Sequence, residues 1–161
     1  MEKRMKHIIT ALVENQPGVL ARIVGLISGR GFNIESLCVA PTHDPTSSRI
    51  TMVVPGDDRV LEQVTKQLNK LVDVIKVTDL TKEPFINREL VLFKLNATRA
   101  GRSEIIELAK ACGASVLSIQ PRSLVLQFVG AADKIKDLMD LLKPHQITDI
   151  SRTGLIAITR E

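Results

Sequence analysis

The order in which aliphatic segments alternate with Pro and Gly breaks limits the possible folds more than any other feature of this chain. His7 to Glu14 (HIITALVE) is rich in β-branched and aliphatic residues and predicts a strand. It stops at the turn Asn15-Gln16-Pro17-Gly18. From Val19 the apolar residues Val19, Leu20, Ile23, Val24 and Ile27 fall on one helical face, and Gly29 and Gly31 end that helix. Asn33 to Ala40 predicts a second strand, closed by Pro41, and a polar loop (THDPTSS) leads to a third over Arg49 to Val54. Asp57 and Asp58 suit the start of a helix whose apolar stripe is Val60, Leu61, Val64, Leu68 and Leu71. Val72 to Leu80 then predicts a fourth strand. The order is β-α-β-β-α-β, that of a ferredoxin-like sandwich with two helices on one sheet face.

The same order returns after Thr81-Lys82-Glu83-Pro84, a short, charged, proline-interrupted segment that predicts a linker. Arg88 to Leu95 predicts a strand. A helix carries Ile105, Leu108, Ala109 and Cys112 and ends at Gly113. Strands over Ser115 to Ile119 and Leu124 to Val129 are split by Pro121, and a helix with Ile135, Leu138, Met139 and Leu142 ends at Pro144. A closing strand falls within Ile147 to Thr159, with a break at Gly154. The fold class expected is therefore α+β, two ferredoxin-like βαββαβ sandwiches, with one domain over residues 1–82 and a second over 83–161. Aromatic residues are 2% of the chain, so both cores must be built from aliphatic side chains. HIITALV and LVLFKL are apolar at odd and even positions alike, whereas a sheet with one wet face should alternate. Something covers the second face: the other domain, another copy of the chain, or a partner subunit.

Several functions are argued against by what the sequence lacks. No apolar run approaches the ~20 residues of a membrane-spanning helix, and the charged start Met1 to Lys6 reads as cytoplasmic and unprocessed. The formal net charge of +4 is dispersed, and exposed aromatics for stacking on bases are missing, so no nucleic-acid partner is expected. An acylphosphatase on this fold would need an Arg in the first βα turn, and that turn has none. His7, His43 and His145 stand alone and read as surface or edge histidines. Cys38 and Cys112 form no C-x-x-C pair and read as reduced core thiols. Gly25, Gly29 and Gly31 end a helix, where a phosphate loop would precede one. Glu14 and Glu35 are single acids at strand ends, better read as solvated than as catalytic. No catalytic residue and no metal ligand is expected.

The first turn is the one candidate site. It delivers the chain into a helix whose first N–H groups have no intrahelical acceptors and which therefore attract anions. Gly18 lets a carboxylate approach the backbone, the helix dipole adds about 0.3–1 kcal/mol at an exposed site, and Asn15 can supply a further hydrogen bond. A plain connection is the competing reading, since Pro-Gly also simply makes a βα turn. Asn33 likewise either caps a turn or, at a dimer edge, faces the helix start of a neighbouring chain.

Three motifs then stand in order: ENQPGVL, RGFNIESL and APTHDPTSSR. Together with EQVTKQLNKLVDVIKV they strongly resemble the ACT domain of the regulatory small subunit of acetohydroxyacid synthase, also called acetolactate synthase. The family patterns are E-N-x-x-G-x-L, R-G-[FY]-N-I-E-S-L and A-P-T-x-D-P-T-x-S-R. The resemblance extends through the second domain, beginning near Arg88-Glu89-Leu90, although residues 100–161 match less distinctively. Gln16-Pro17 departs from the Glu-Ser or Glu-Ala frequent in relatives but leaves Asn15 and Gly18 in place.

The resemblance implies an ACT-domain homodimer partnered by a large catalytic subunit that carries thiamine diphosphate, FAD and Mg, with no cofactor in this chain. It implies activation of that subunit and feedback inhibition by a branched-chain amino acid, valine first. By position, Asn15, Gly18, Val19 and Leu20 would present the carboxylate-binding helix start, and Asn33 with Ile34 would come from the neighbouring chain. A freestanding amino-acid sensor with no catalytic partner is the competing expectation.

Overall fold

The computed structural model describes residues 5–161; the charged start Met1–Arg4, part of the segment expected to be unprocessed, lies outside the described residues. The chain forms two compact units. The first comprises residues up to Ile86 together with Leu155–Glu161, and the second is Asn87–Gly154.

In the first unit, β1 (Lys6–Glu14), β2 (Ser36–Pro41), β3 (Ser47–Pro55) and β4 (Val74–Asp79) form an antiparallel sheet in the order β2-β3-β1-β4. Helices α1 (Val19–Ser28) and α2 (Asp58–Leu68) join the strands in βαββαβ order. Each helix follows from its sequence. Buried Val19, Ile23 and Ile27 recur every fourth residue on α1, and Leu61, Val64 and Leu68 do the same work on α2. Asp57 caps α2, its carboxylate accepting from Val60 N at 3.0 Å. These residues pack on Ile9, Ala11, Val13, Ile50, Met52 and Val54, the inward side chains of β1 and β3. In line with the two-residue strand repeat, Ile8, Thr10 and Leu12 face the other way.

The second unit repeats the plan. β5 (Phe85–Asn96), β6 (Ser115–Ile119), β7 (Ser123–Gly130) and β8 (Ile147–Arg152) are ordered β6-β7-β5-β8, while β9 (Ile156–Thr159) belongs to the first unit and pairs with β5, which begins there at Phe85. Helices α3 (Arg102–Ala111) and α4 (Ala132–Leu142) bury Ile105, Ala109, Ile135, Leu138 and Leu142 against Val91, Phe93, Leu95, Leu124 and Leu126. The fold is thus the expected α+β pair of ferredoxin-like sandwiches.

Gly154 adopts φ +82° and breaks the closing strand into β8 and β9, after which Leu155 and Ala157 pack with Val53 and Leu80 of the first unit. That packing also answers, for one end of the first sheet, what covers its second face, since Ile8 and Phe85 join the same cluster. Two details depart from the sequence reading, the start of β2 and the burial of His7. β2 starts at Ser36, so Asn33 and Ile34 belong to the connection before it. His7 is 1% exposed, neither a surface nor an edge residue; its Nε2 lies 3.1 Å from Gly56 O and ties the start of β1 to the β3–α2 turn. Being on the inward-facing parity with Ile9, it is covered by the core that its neighbours form.

Candidate functional site

The turn between β1 and α1 is held from the side by the β2–β3 loop. Asn15 N donates to Thr46 O at 2.8 Å, and the Asn15 amide nitrogen donates to Pro45 O at 2.9 Å. One of its two amide protons is therefore used within the chain, and the other proton and the carbonyl oxygen remain. The loop is itself braced by Asp44, whose Oδ1 accepts from Thr46 N at 2.9 Å and Thr46 Oγ1 at 2.7 Å. Thr42 Oγ1 adds contacts to Asp44 O and Ser47 Oγ, each at 3.0 Å. Hydrogen bonding from the Thr46 hydroxyl, then from its amide, holds the Asp44 carboxyl below the usual carboxylate range. The APTHDPTSSR segment thus folds on itself and offers two carbonyls to Asn15. The sequence marks that segment as a motif, and its role lies in pairings that only the fold reveals.

Gly18 is the residue before the helix and has φ +84°, a left-handed conformation that side chains disfavour. No side chain caps α1. Val19 N makes a long bond, 3.4 Å, to Gln16 O, and Arg22 N reaches Gly18 O at 3.0 Å. The amides of Leu20 and Ala21 have no acceptor among the described residues. Two parallel donors at a helix start are suited to a carboxylate. Arg22, which sequence reading missed, adds a cation: a Cβ on Gly18 would stand 3.2 Å from its Nη1. Its place four residues after Gly18 was the available signal. Asp73 partly neutralises it, with Oδ2 at 2.8 Å from Nε.

Beside these donors lies a cavity of about 280 Å³. Asn15, Val19 and Leu20 line one side, and Val39, Ala40 and Ile50 from β2 and β3 line the other. Val19 and Ile50 are buried, while Leu20 and Val39 remain 37% and 41% exposed. A polar end and an aliphatic wall are thus adjacent, which is what a small apolar amino acid requires. Of the residues singled out from sequence, Asn15, Val19 and Leu20 line the cavity, and Gly18 sets the helix start. Asn33, exposed, and Ile34, half-buried, follow the far end of α1, a helix whose ten residues span about 15 Å. They do not line this cavity in their own chain.

Two ferredoxin-like units, the first with an open anion-attracting helix start beside an aliphatic cavity, define the class of ACT-domain regulatory proteins. A family model described as the AHAS small subunit-like ACT domain matches residues 9–76, and one described as the small subunit of acetolactate synthase matches residues 88–161. The chain belongs to the acetolactate synthase small-subunit family. It is 46% identical over 156 residues to a probable acetolactate synthase small subunit of Archaeoglobus fulgidus, covering 97% of this chain and 98% of that one. The acetolactate synthase small subunit of Haemophilus influenzae is 45% identical over 157 residues, 97% of this chain and 96% of its own. The crystal structure of the acetolactate synthase small subunit from Thermotoga maritima superposes with a TM-score of 0.89 at 33% identity, covering 98% of both chains. The protein is accordingly a regulatory subunit and not the catalytic chain.

Proposed function

We propose that this subunit activates the large catalytic subunit of acetolactate synthase and makes it subject to feedback inhibition by a branched-chain amino acid, valine foremost. The effector carboxylate meets the Leu20 and Ala21 amides at Gly18, and its branched side chain rests on Val19, Leu20 and Val39. Asn33 and Ile34 reach the site from the second chain of an ACT-domain homodimer and supply the amide that a zwitterion still needs. Thiamine diphosphate, FAD and Mg belong to the catalytic partner, and the assembly is cytoplasmic. The observation that carries this reading is the pair of unsatisfied helix-start amides beside an aliphatic cavity.

The test is reconstitution with the catalytic subunit. Acetolactate formation should rise on adding this chain and fall again with valine, while calorimetric titration of the chain with valine, leucine and isoleucine ranks the effectors. No stimulation, together with no binding of any of the three, would overturn the proposal.

A further inference from the structure

The outer face of the first sheet, opposite α1 and α2, is ordered in rows by strand register. Ile8 lies across from Val53, under Leu155 and Ala157. In the next row Thr10 lies between Thr51 and Thr78. In the row beyond, Leu12 lies between Arg49 and Lys76. A cavity of about 690 Å³, within the usual range of small-molecule sites, opens over the last two rows and is bounded by Ile158 and Thr159 of β9.

Two independent observations point to a ligand there. Thr10 lines the cavity and is only 2% exposed, yet its hydroxyl has no hydrogen-bond partner among the described residues. The hydroxyl is not sealed in the interior but opens onto the cavity, where an oxygen of a bound solute can accept from it. In addition, Arg49 and Lys76 flank a single strand, about 10 Å apart at the backbone, and neither has an ion-pair partner among the described residues. Their long side chains can converge on one anionic group between them. The cavity also contains carboxylates, but Asp79 is three residues along β4 from Lys76, roughly 10 Å away, and its Oδ1 already accepts from Thr81 N at 2.8 Å. Glu83 and Glu161 line it as well, and neither belongs to the Arg49–Leu12–Lys76 row.

We propose that this face is an anion-binding site, separate from the β1–α1 turn, in which Arg49 and Lys76 hold a phosphate or carboxylate group of a small solute and Thr10 donates its hydroxyl to it. The concavity favours a small solute over a flat protein surface. Thr78 stands in the same row and supplies a second hydroxyl.

Calorimetric titration of the full chain at low ionic strength tests this, with inorganic phosphate and succinate as separate probes and potassium chloride at matched ionic strength as the control. At least one probe should saturate at one per chain, and which of them does so assigns the group as phosphate, carboxylate or either. Thr10→Val, nearly isosteric and compatible with a strand, should weaken binding about tenfold or more while leaving the thermal melt cooperative. Arg49→Gln and Lys76→Gln should each weaken it comparably. No binding above the chloride control would overturn the site, as would unchanged affinity in Thr10→Val. Loss of catalytic-subunit capture in Arg49→Gln, with neither anion bound by the unaltered chain, would reassign the face to protein docking and also overturn it.

Discussion

The side-chain amide of Asn15 donates to the main-chain carbonyl of Pro45, 2.9 Å away, across 30 residues of sequence. This bond couples the first family motif to the third: the turn that presents the helix amides is positioned by a loop that Asp44 and Thr42 keep in shape.

Replacing Asp44 with Ala should therefore weaken effector binding without touching the effector. Two bonds to Thr46 disappear, the carbonyls offered to Asn15 lose their fixed position, and the turn loosens. Calorimetry with valine should show a several-fold weaker affinity with catalytic activation retained.

Acid should act on the same loop. The Asp44 carboxyl is held below its ordinary value, so its contribution to loop order is complete above the unfolded value near pH 4 and disappears as pH falls through the lower folded value. Amide exchange at Thr46 should accelerate below about pH 4 in the unaltered chain. In Asp44→Ala that acid-induced step should be absent.

Gly18→Asp puts a side chain on a residue with φ +84° and a carboxylate where the effector's carboxylate should meet the amides. Valine binding should be abolished, and a reconstituted complex should remain active in the presence of valine. Full feedback inhibition in this variant would place the effector elsewhere.

Asn33→Ala tests the contribution of the second chain. Loss of a hydrogen bond to a charged ligand group costs about 1.5–3 kcal/mol, or roughly ten- to hundredfold in affinity. Mixed dimers carrying Asn33→Ala in one chain and Gly18→Asp in the other should retain one intact site, and titration should find half the valine stoichiometry of the unaltered dimer.

Leu155 is 6% exposed and packs with Val53 and Leu80, so Leu155→Ala should destabilise the first unit by about 2–5 kcal/mol. A fragment that ends at Lys82 lacks Leu155 and Ala157 altogether. It should melt at a lower temperature than the full chain by circular dichroism and expose Val53 to solvent.

Local physics wrote much of this protein directly into its sequence. Strand order, helix stripes at Val19-Ile23-Ile27 and Leu61-Val64-Leu68, and the breaks at Pro17-Gly18, Gly31 and Gly154 depend on neighbours a few residues away, and periodicity and turn chemistry expose them. The open helix start at Gly18 was legible for the same reason. What depends on residues far apart in the chain was not. The sequence places His7 in a strand but cannot say that its ring lies inside, because that depends on which face the helices cover. It cannot pair Asn15 with Pro45 or Arg22 with Asp73, since those contacts require the sheet register and the helix packing to be in place. Nor can it return Leu155–Glu161 to the first unit, a choice made by burying Leu155 and Ala157 on Val53 and Leu80 rather than by any signal at Gly154 itself.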